Sequence, residues 1–190
     1  MTDIPTGILA GGQSLRFGDQ DKAAALLAGL PIIDHVAARL GPQSSELMIS
    51  GPSDFGSGLP FIPDDPDGIE GPVAGLLALA KAFQGQSAFL TVAVDMPFIP
   101  LDYARCMVEK GPTAIASVGG NLHPTCGLWN PIKVIRLIAK HDLRENLSLR
   151  GAAKLCGYRA CEFTDKDAFM NINSAQDMKA AMQKMEKAGG

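Results

Sequence analysis

Gly11, Gly12 and Gly18 share one short stretch of chain with Arg16 and Lys22, in ILAGGQSLRFGDQDKAAALL. Glycines adopt backbone conformations closed to other residues and let peptide N–H groups come close to an anion. Two cations in the same loop add the positive charge that linked phosphates need. Holding a triphosphate is the chemistry this combination serves. The spacing is neither GxxxxGK[ST] nor GxGxxG, because the glycines fall as a pair, then five other residues, then one. A surface turn with incidental charges has the same composition, so the loop alone leaves both readings open.

Four further stations carry polar chemistry. Asp95 ends the apolar run AFLTVAV and precedes Met96-Pro97. A carboxylate at the carboxyl end of a buried strand faces the ligand crevice of an open α/β sheet, although a capping or turn aspartate would read the same way. Such a carboxylate can hold Mg²⁺, which prefers oxygen ligands and bridges phosphate oxygens. Asn171 and Asn173 flank Ile172, so an extended segment turns both amides to one side; a turn followed by a helix cap is the alternative. GPVAG, from Gly71 to Gly75, follows the acids Asp64, Asp65, Asp67 and Glu70. Acids before a Gly-Pro helix start are also ordinary N-terminal chemistry. His123 lies in NLHPTCGLW, while His35 and His141 read as surface or satisfied imidazoles.

Positioning these groups requires a sheet. Thr6–Ala10, Leu47–Ser50 and Ala88–Val94 are short unbroken apolar runs, as expected for strands buried on both faces; Thr113–Val118 and Thr125–Trp129 are further strand candidates. Between them, PIIDHVAARL, GPVAGLLALAKAF, Ile132–Lys140 and Ala175–Lys187 carry apolar residues at helical spacing. Pro31 suits the first turn of one helix, Ser174 caps the last, and Met178, Met182 and Met185 read as core packing. The alternation predicts an α/β fold, a three-layer α/β/α sandwich with a mostly parallel, Rossmann-like sheet. The stretch around Trp129 departs from it as an antiparallel strand. The expected organisation is one domain over residues 1–190.

Composition narrows the partners. With 17 basic and 20 acidic residues the net charge is −3, which offers no basic stripe for nucleic acid. No apolar run reaches the ~18–20 residues of a membrane span, and the first residues lack a basic stretch followed by a long apolar one. A cytoplasmic protein with no nucleic-acid and no membrane partner is expected. Cys106, Cys126, Cys156 and Cys161 form no CxxC pair, and read as buried reduced thiols rather than zinc ligands.

LAGGQSLRFGDQDK, from Leu9 to Lys22, resembles LAGG-x-x-x-R-x-G-x-x-D-K, the signature of nucleotidyltransferases related to molybdenum cofactor guanylyltransferase. GPVAG, VAVDMPFIP, HPT and FMNINSAQDM resemble later segments of that family, in order and over nearly the whole chain. Val73 and Met96 replace the family's usual Leu and Thr. The resemblance implies a nucleotide site at Leu9, Ala10, Gly11, Gly12, Lys22, Asp67 and Asp95, with Asp65 as the alternative acid. It gives Arg16, Lys22 and Asp95 catalytic roles, Asp95 the Mg²⁺, and His123, Asn171 and Asn173 contact with acceptor or phosphate. Family members with LAGG transfer GMP, whereas LAAG marks CMP transfer, so Gly12 implies GTP. The implied reaction joins GMP to molybdopterin (Mo-molybdopterin), releasing pyrophosphate, with transient hand-over contacts to cofactor-inserting enzymes and apo-molybdoenzymes. A molybdopterin cytidylyltransferase, a sugar-phosphate nucleotidyltransferase and a non-catalytic nucleotide-binding module are the alternatives.

Overall fold

A computed structural model describes residues 3–11, 16–17, 20–63, 71–140 and 147–189, with backbone alone at 16, 17, 20, 21, 188 and 189. In chain order the strands are β1 (Thr6–Leu9), β2 (Arg16–Phe17), β3 (Gln20–Asp21), β4 (Leu26–Leu27), β5 (Leu30–Pro31), β6 (Leu47–Ser50), β7 (Phe61–Ile62), β8 (Phe89–Ala93), β9 (Ala114–Val118), β10 (Asn121–Trp129) and β11 (Arg159–Phe163). The helices are α1 (Ile32–Leu40), α2 (Pro72–Ala82), α3 (Tyr103–Lys110), α4 (Pro131–Lys140), α5 (Leu149–Cys156) and α6 (Ala175–Gly189). Seven strands form one sheet in the order β11-β9-β10-β8-β1-β6-β7. β10 runs antiparallel to both neighbours, and the other pairings in that sheet are parallel.

The central strands feed two cores because successive side chains point to opposite faces. Ile8, Leu90 and Val92 face α1, α3 and α6, meeting Ile33, Val36, Tyr103, Met107 and Ala181. Leu9, Phe89 and Trp129 face α2, α4 and α5, meeting Leu76, Leu79, Val134, Ile138 and Ala152. This is the expected three-layer sandwich. Pro31 sits one residue earlier than expected, at the N-cap position of α1, with extended ψ of 144°.

Two burial expectations change. The face that α6 buries runs through Met178, Ala181 and Met185, so Met182 falls beside it and is 40% exposed. Cys126, Cys156 and Cys161 are buried, but Cys106 is only half-buried on α3. Burial pushes the Cys126 thiol up to about 12, which keeps it protonated and inert.

Trp129 is fully buried, and its indole N–H finds its partner on the next strand. Nε1 donates to Thr91 Oγ1 at 2.9 Å, and the same oxygen accepts from Gly127 N at 3.3 Å. Gly127 is required here, because a Cβ would stand 2.5 Å from Trp129 Nε1. Thr91→Val keeps the shape and removes the acceptor, leaving the buried Trp129 indole N–H unpaired. Such an orphaned group costs about 1–3 kcal/mol. Urea unfolding of Thr91→Val is expected to show a loss of about 2 kcal/mol at unchanged m.

Candidate active site

β1 and β8 lie side by side and parallel, so the residues following each emerge at the same edge of the sheet. Pairing continues past the strand end, with Val94 N donating to the Leu9 carbonyl at 3.0 Å. On the other side Ala10 N donates to the Ser50 carbonyl at 2.8 Å. Leu9, Gly11, Lys22, Asp95 and Asn171 line one cleft at this edge. Ala10 is buried behind it. Pro72, at the N-terminus of α2, forms another part of the wall. Gly71 precedes it with φ 75°, a left-handed conformation that favours glycine. Among the described residues no acidic side chain occupies the first turn of α2, whose positive dipole end favours anions.

The centre of the cleft is a contact between residues far apart in sequence. Lys22 Nζ lies 2.7 Å from Asp95 Oδ2 and also donates to Asn173 Oδ1. The Lys22 and Asp95 side chains are 6% and 16% exposed, so the pair is largely withdrawn from water. Asp95 Oδ1 is buried and has no hydrogen-bond partner among the described residues. Ile172 N donates to the Asp95 carbonyl at 2.9 Å, which fixes the Asn171–Asn173 segment against the strand end. Ile172 itself is buried in the core, leaving both asparagines outside it.

The start of α6 holds that segment from the other side. Asp177 Oδ2 accepts from Asn173 N at 2.9 Å and from the Ser174 hydroxyl at 2.8 Å, while Ser174 Oγ accepts from Asp177 N at 3.1 Å. This reciprocal capping box sets where the helix begins. The Ser174 hydroxyl, then the Asn173 N–H, hold the Asp177 carboxyl below its usual range. Asp177 thus stays an anion and an acceptor.

A divalent cation bound here would meet few protein donors. Mg²⁺ commonly takes one or two carboxylates and completes its octahedron with water and substrate phosphates. One carboxylate with a buried, unpartnered oxygen beside an amide oxygen fits that donor set. A cage made by protein alone does not fit, because no three His, Cys, Asp or Glu side chains come together among the described residues.

His123 is not among the described residues that line this cleft. Its ring stacks on Phe169, with centroids 5.0 Å apart and planes at 24°. Burial lowers its pKa, favouring the neutral imidazole. Thr125 lines the cleft instead, two residues further along β10. The register of β10 shifts between His123 and Gly127, which changes how successive side chains are presented. Sequence reasoning missed Thr125, because this shift breaks the two-residue period counted from His123. Pro72 was visible only as a helix start. Gly12, Gly18, Asp64, Asp65, Asp67, Glu70, His141 and the side chain of Arg16 lie outside the described residues.

Comparison with known proteins bears on this geometry. The MobA-like NTP transferase domain matches residues 6–157. The chain belongs to that family. This MobA-like NTP transferase is a nucleotidyltransferase, and it is 38% identical over 188 residues to a molybdenum cofactor guanylyltransferase of Cereibacter sphaeroides, covering 95% of this chain and 96% of that one. The fold is shared with molybdopterin-guanine dinucleotide biosynthesis protein A from Archaeoglobus fulgidus, with a TM-score of 0.74 at 18% identity over 97% of this chain and 100% of that one. It is shared too with a nucleotidyl transferase from Methanothermobacter thermautotroptrophicus, with a TM-score of 0.77 at 17% identity over 99% of this chain and 100% of that one. No helix among the described residues of this MobA-like protein is long and apolar enough to cross a membrane.

Proposed function

We propose that this MobA-like NTP transferase moves GMP from GTP to the terminal phosphate of molybdopterin, releasing pyrophosphate, with the whole chain acting as one nucleotidyltransferase domain. The observation that carries the reading is the Lys22–Asp95–Asn173 contact in a cleft bordered by Gly11. A cation, a carboxylate and an amide at the carboxyl edge of the sheet suit nucleotide phosphates. Relatives that share a third or more of their residues along nearly the full chain, and are named molybdenum cofactor guanylyltransferase, support the choice of GTP.

An acceptor phosphate oxygen attacks the α-phosphorus of GTP, forming a new P–O bond. The bond from the α-phosphorus to the bridging oxygen breaks, and that electron pair leaves with pyrophosphate. Such a displacement depends on alignment and charge rather than on a protein nucleophile. Lys22 supplies positive charge to the triphosphate, and backbone N–H groups near Gly11 receive phosphate oxygens. Asn173 orients Lys22, and Asn171 and Thr125 border the space where the acceptor approaches. The nucleophile is already an anion near neutral pH, so no strong base is needed. Asp95 would hold Mg²⁺, which when bound supplies charge neutralisation at the phosphate oxygens.

Nucleotide choice tests the proposal directly. GTP, CTP and ATP, each labelled at the α-phosphate, are offered in turn with Mo-molybdopterin as acceptor. Label is expected in the acceptor from GTP at a rate at least about ten-fold above the other two, a difference of roughly 1.4 kcal/mol in transition-state binding. Preferential incorporation from CTP would contradict it.

A further inference from the structure

A second cavity, of about 400 Å³, opens on the α1 and α6 side of the molecule and shares no lining residue with the cleft. His35 and Arg39 come from α1, Lys184 and Met185 from α6, and Pro97 and Phe98 from the segment after β8. The volume is within the ~300–1,000 Å³ usual for small-molecule sites. Its chemistry is one-sided: no carboxylate is among its described lining residues, while Arg39, Lys184 and an imidazole are.

Neither cation has a close ionic partner among the described residues. Arg39 Nε is buried and has no hydrogen-bond partner among the described residues. Buried donors in native proteins are nearly always paired, so the Arg39 guanidinium is short of an acceptor at this atom among the described residues. Lys184 Nζ is 3.6 Å from Asp167 Oδ2, long for a hydrogen bond, and Asp167 is 68% exposed, so this pair is weak and solvated. The same ammonium stands 4.8 Å from the centroid of the Phe98 ring. His35 Nε2 lies 2.7 Å from the Leu27 carbonyl; a carbonyl only accepts, so this nitrogen donates and the ring is held in place.

We propose that this cavity binds a small organic phosphate, its phosphoryl group on Arg39 and Lys184 and its apolar or aromatic body against Phe98, Pro97 and Met185. The planar guanidinium matches phosphate oxygens in geometry and charge. The Phe98 ring and the Met185 thioether supply an apolar floor. Two cations that line one cavity, with no carboxylate among its described lining residues, are relieved by a doubly charged ligand, which a neutral ligand cannot do.

Phenyl phosphate is the probe, titrated by calorimetry into the protein with phenol and inorganic phosphate as partial probes. Saturable binding of phenyl phosphate is expected, tighter than either partial probe. Arg39→Gln is expected to weaken it on the order of ten-fold, the worth of one hydrogen bond to a charged group. Lys184→Gln, at a half-buried position, gives a second test should Arg39→Gln fold poorly, and is expected to weaken binding in the same direction. Asp95→Asn is expected to leave the affinity unchanged, which separates this cavity from the cleft. Absence of saturable binding, equal affinity for inorganic phosphate, or affinity unchanged in folded Arg39→Gln and in Lys184→Gln would overturn the proposal.

Discussion

Asp95→Asn is expected to lower kcat for pyrophosphate release from GTP by about 10³-fold, comparable to removing a principal electrostatic group from an active site. The substitution is nearly isosteric and deletes one negative charge. Lys22 loses its ionic partner at 2.7 Å, and the oxygen now buried without a partner is no longer a carboxylate that can meet a cation. Folding should survive. Removing one member of a buried ion pair outright costs about 3–5 kcal/mol, but an amide oxygen remains for Lys22, and Asn173 still accepts from it. A destabilisation of about 1–2 kcal/mol is expected, well within the roughly 5–15 kcal/mol of a stable domain. A coupled pyrophosphate assay with a thermal melt on the same sample separates the two effects. A kcat within about ten-fold of the parent would remove Asp95 from the chemistry.

Lys22→Met should act with opposite signs on two measurements. Methionine preserves the apolar volume of a side chain that is 6% exposed, while the charge disappears. kcat/KM for GTP is expected to fall by about 10²–10³-fold, through both a higher KM and a lower kcat, because the cation meets phosphate charge in the ground state and in the transition state. Without nucleotide, however, the variant should bind Mn²⁺ about ten-fold more tightly than the parent protein. In the parent the ammonium already occupies Asp95 Oδ2 and Asn173 Oδ1, and any other cation must compete with it. Titration followed by electron paramagnetic resonance reads the metal affinity independently of turnover. Unchanged Mn²⁺ binding would show that Lys22 does not compete for this site.

The parts of the molecule legible in sequence are those encoded locally. β1, β6 and β8 are unbroken apolar runs because both faces are covered, and α2 is buried from Val73 to Ala80 for the same reason. The antiparallel course of β10 also followed from the break in alternation around Trp129. α3, α5 and β11 escaped notice. α3 buries only Tyr103, Ala104 and Met107 in eight residues, and β11 is an edge strand burying only Cys161 and Phe163. Neither therefore has a long apolar signal. Long-range contacts are hardest to read. Lys22 and Asn173 are 151 residues apart, and residue order alone gives no reason for their meeting. The motif resemblance pointed to both positions but not to the bond between them. His123 stacking on Phe169 belongs to the same class, since a lone histidine carries no sign of which ring will cover it.

A crystal structure of the protein soaked with GTP and Mg²⁺ tests the central claim most directly. The triphosphate is expected against Gly11 and Lys22, with Lys22 released from Asp95 and the metal on the Asp95 carboxylate. A nucleotide seated elsewhere, such as in the cavity between α1 and α6, with the Lys22–Asp95 contact intact, would contradict it.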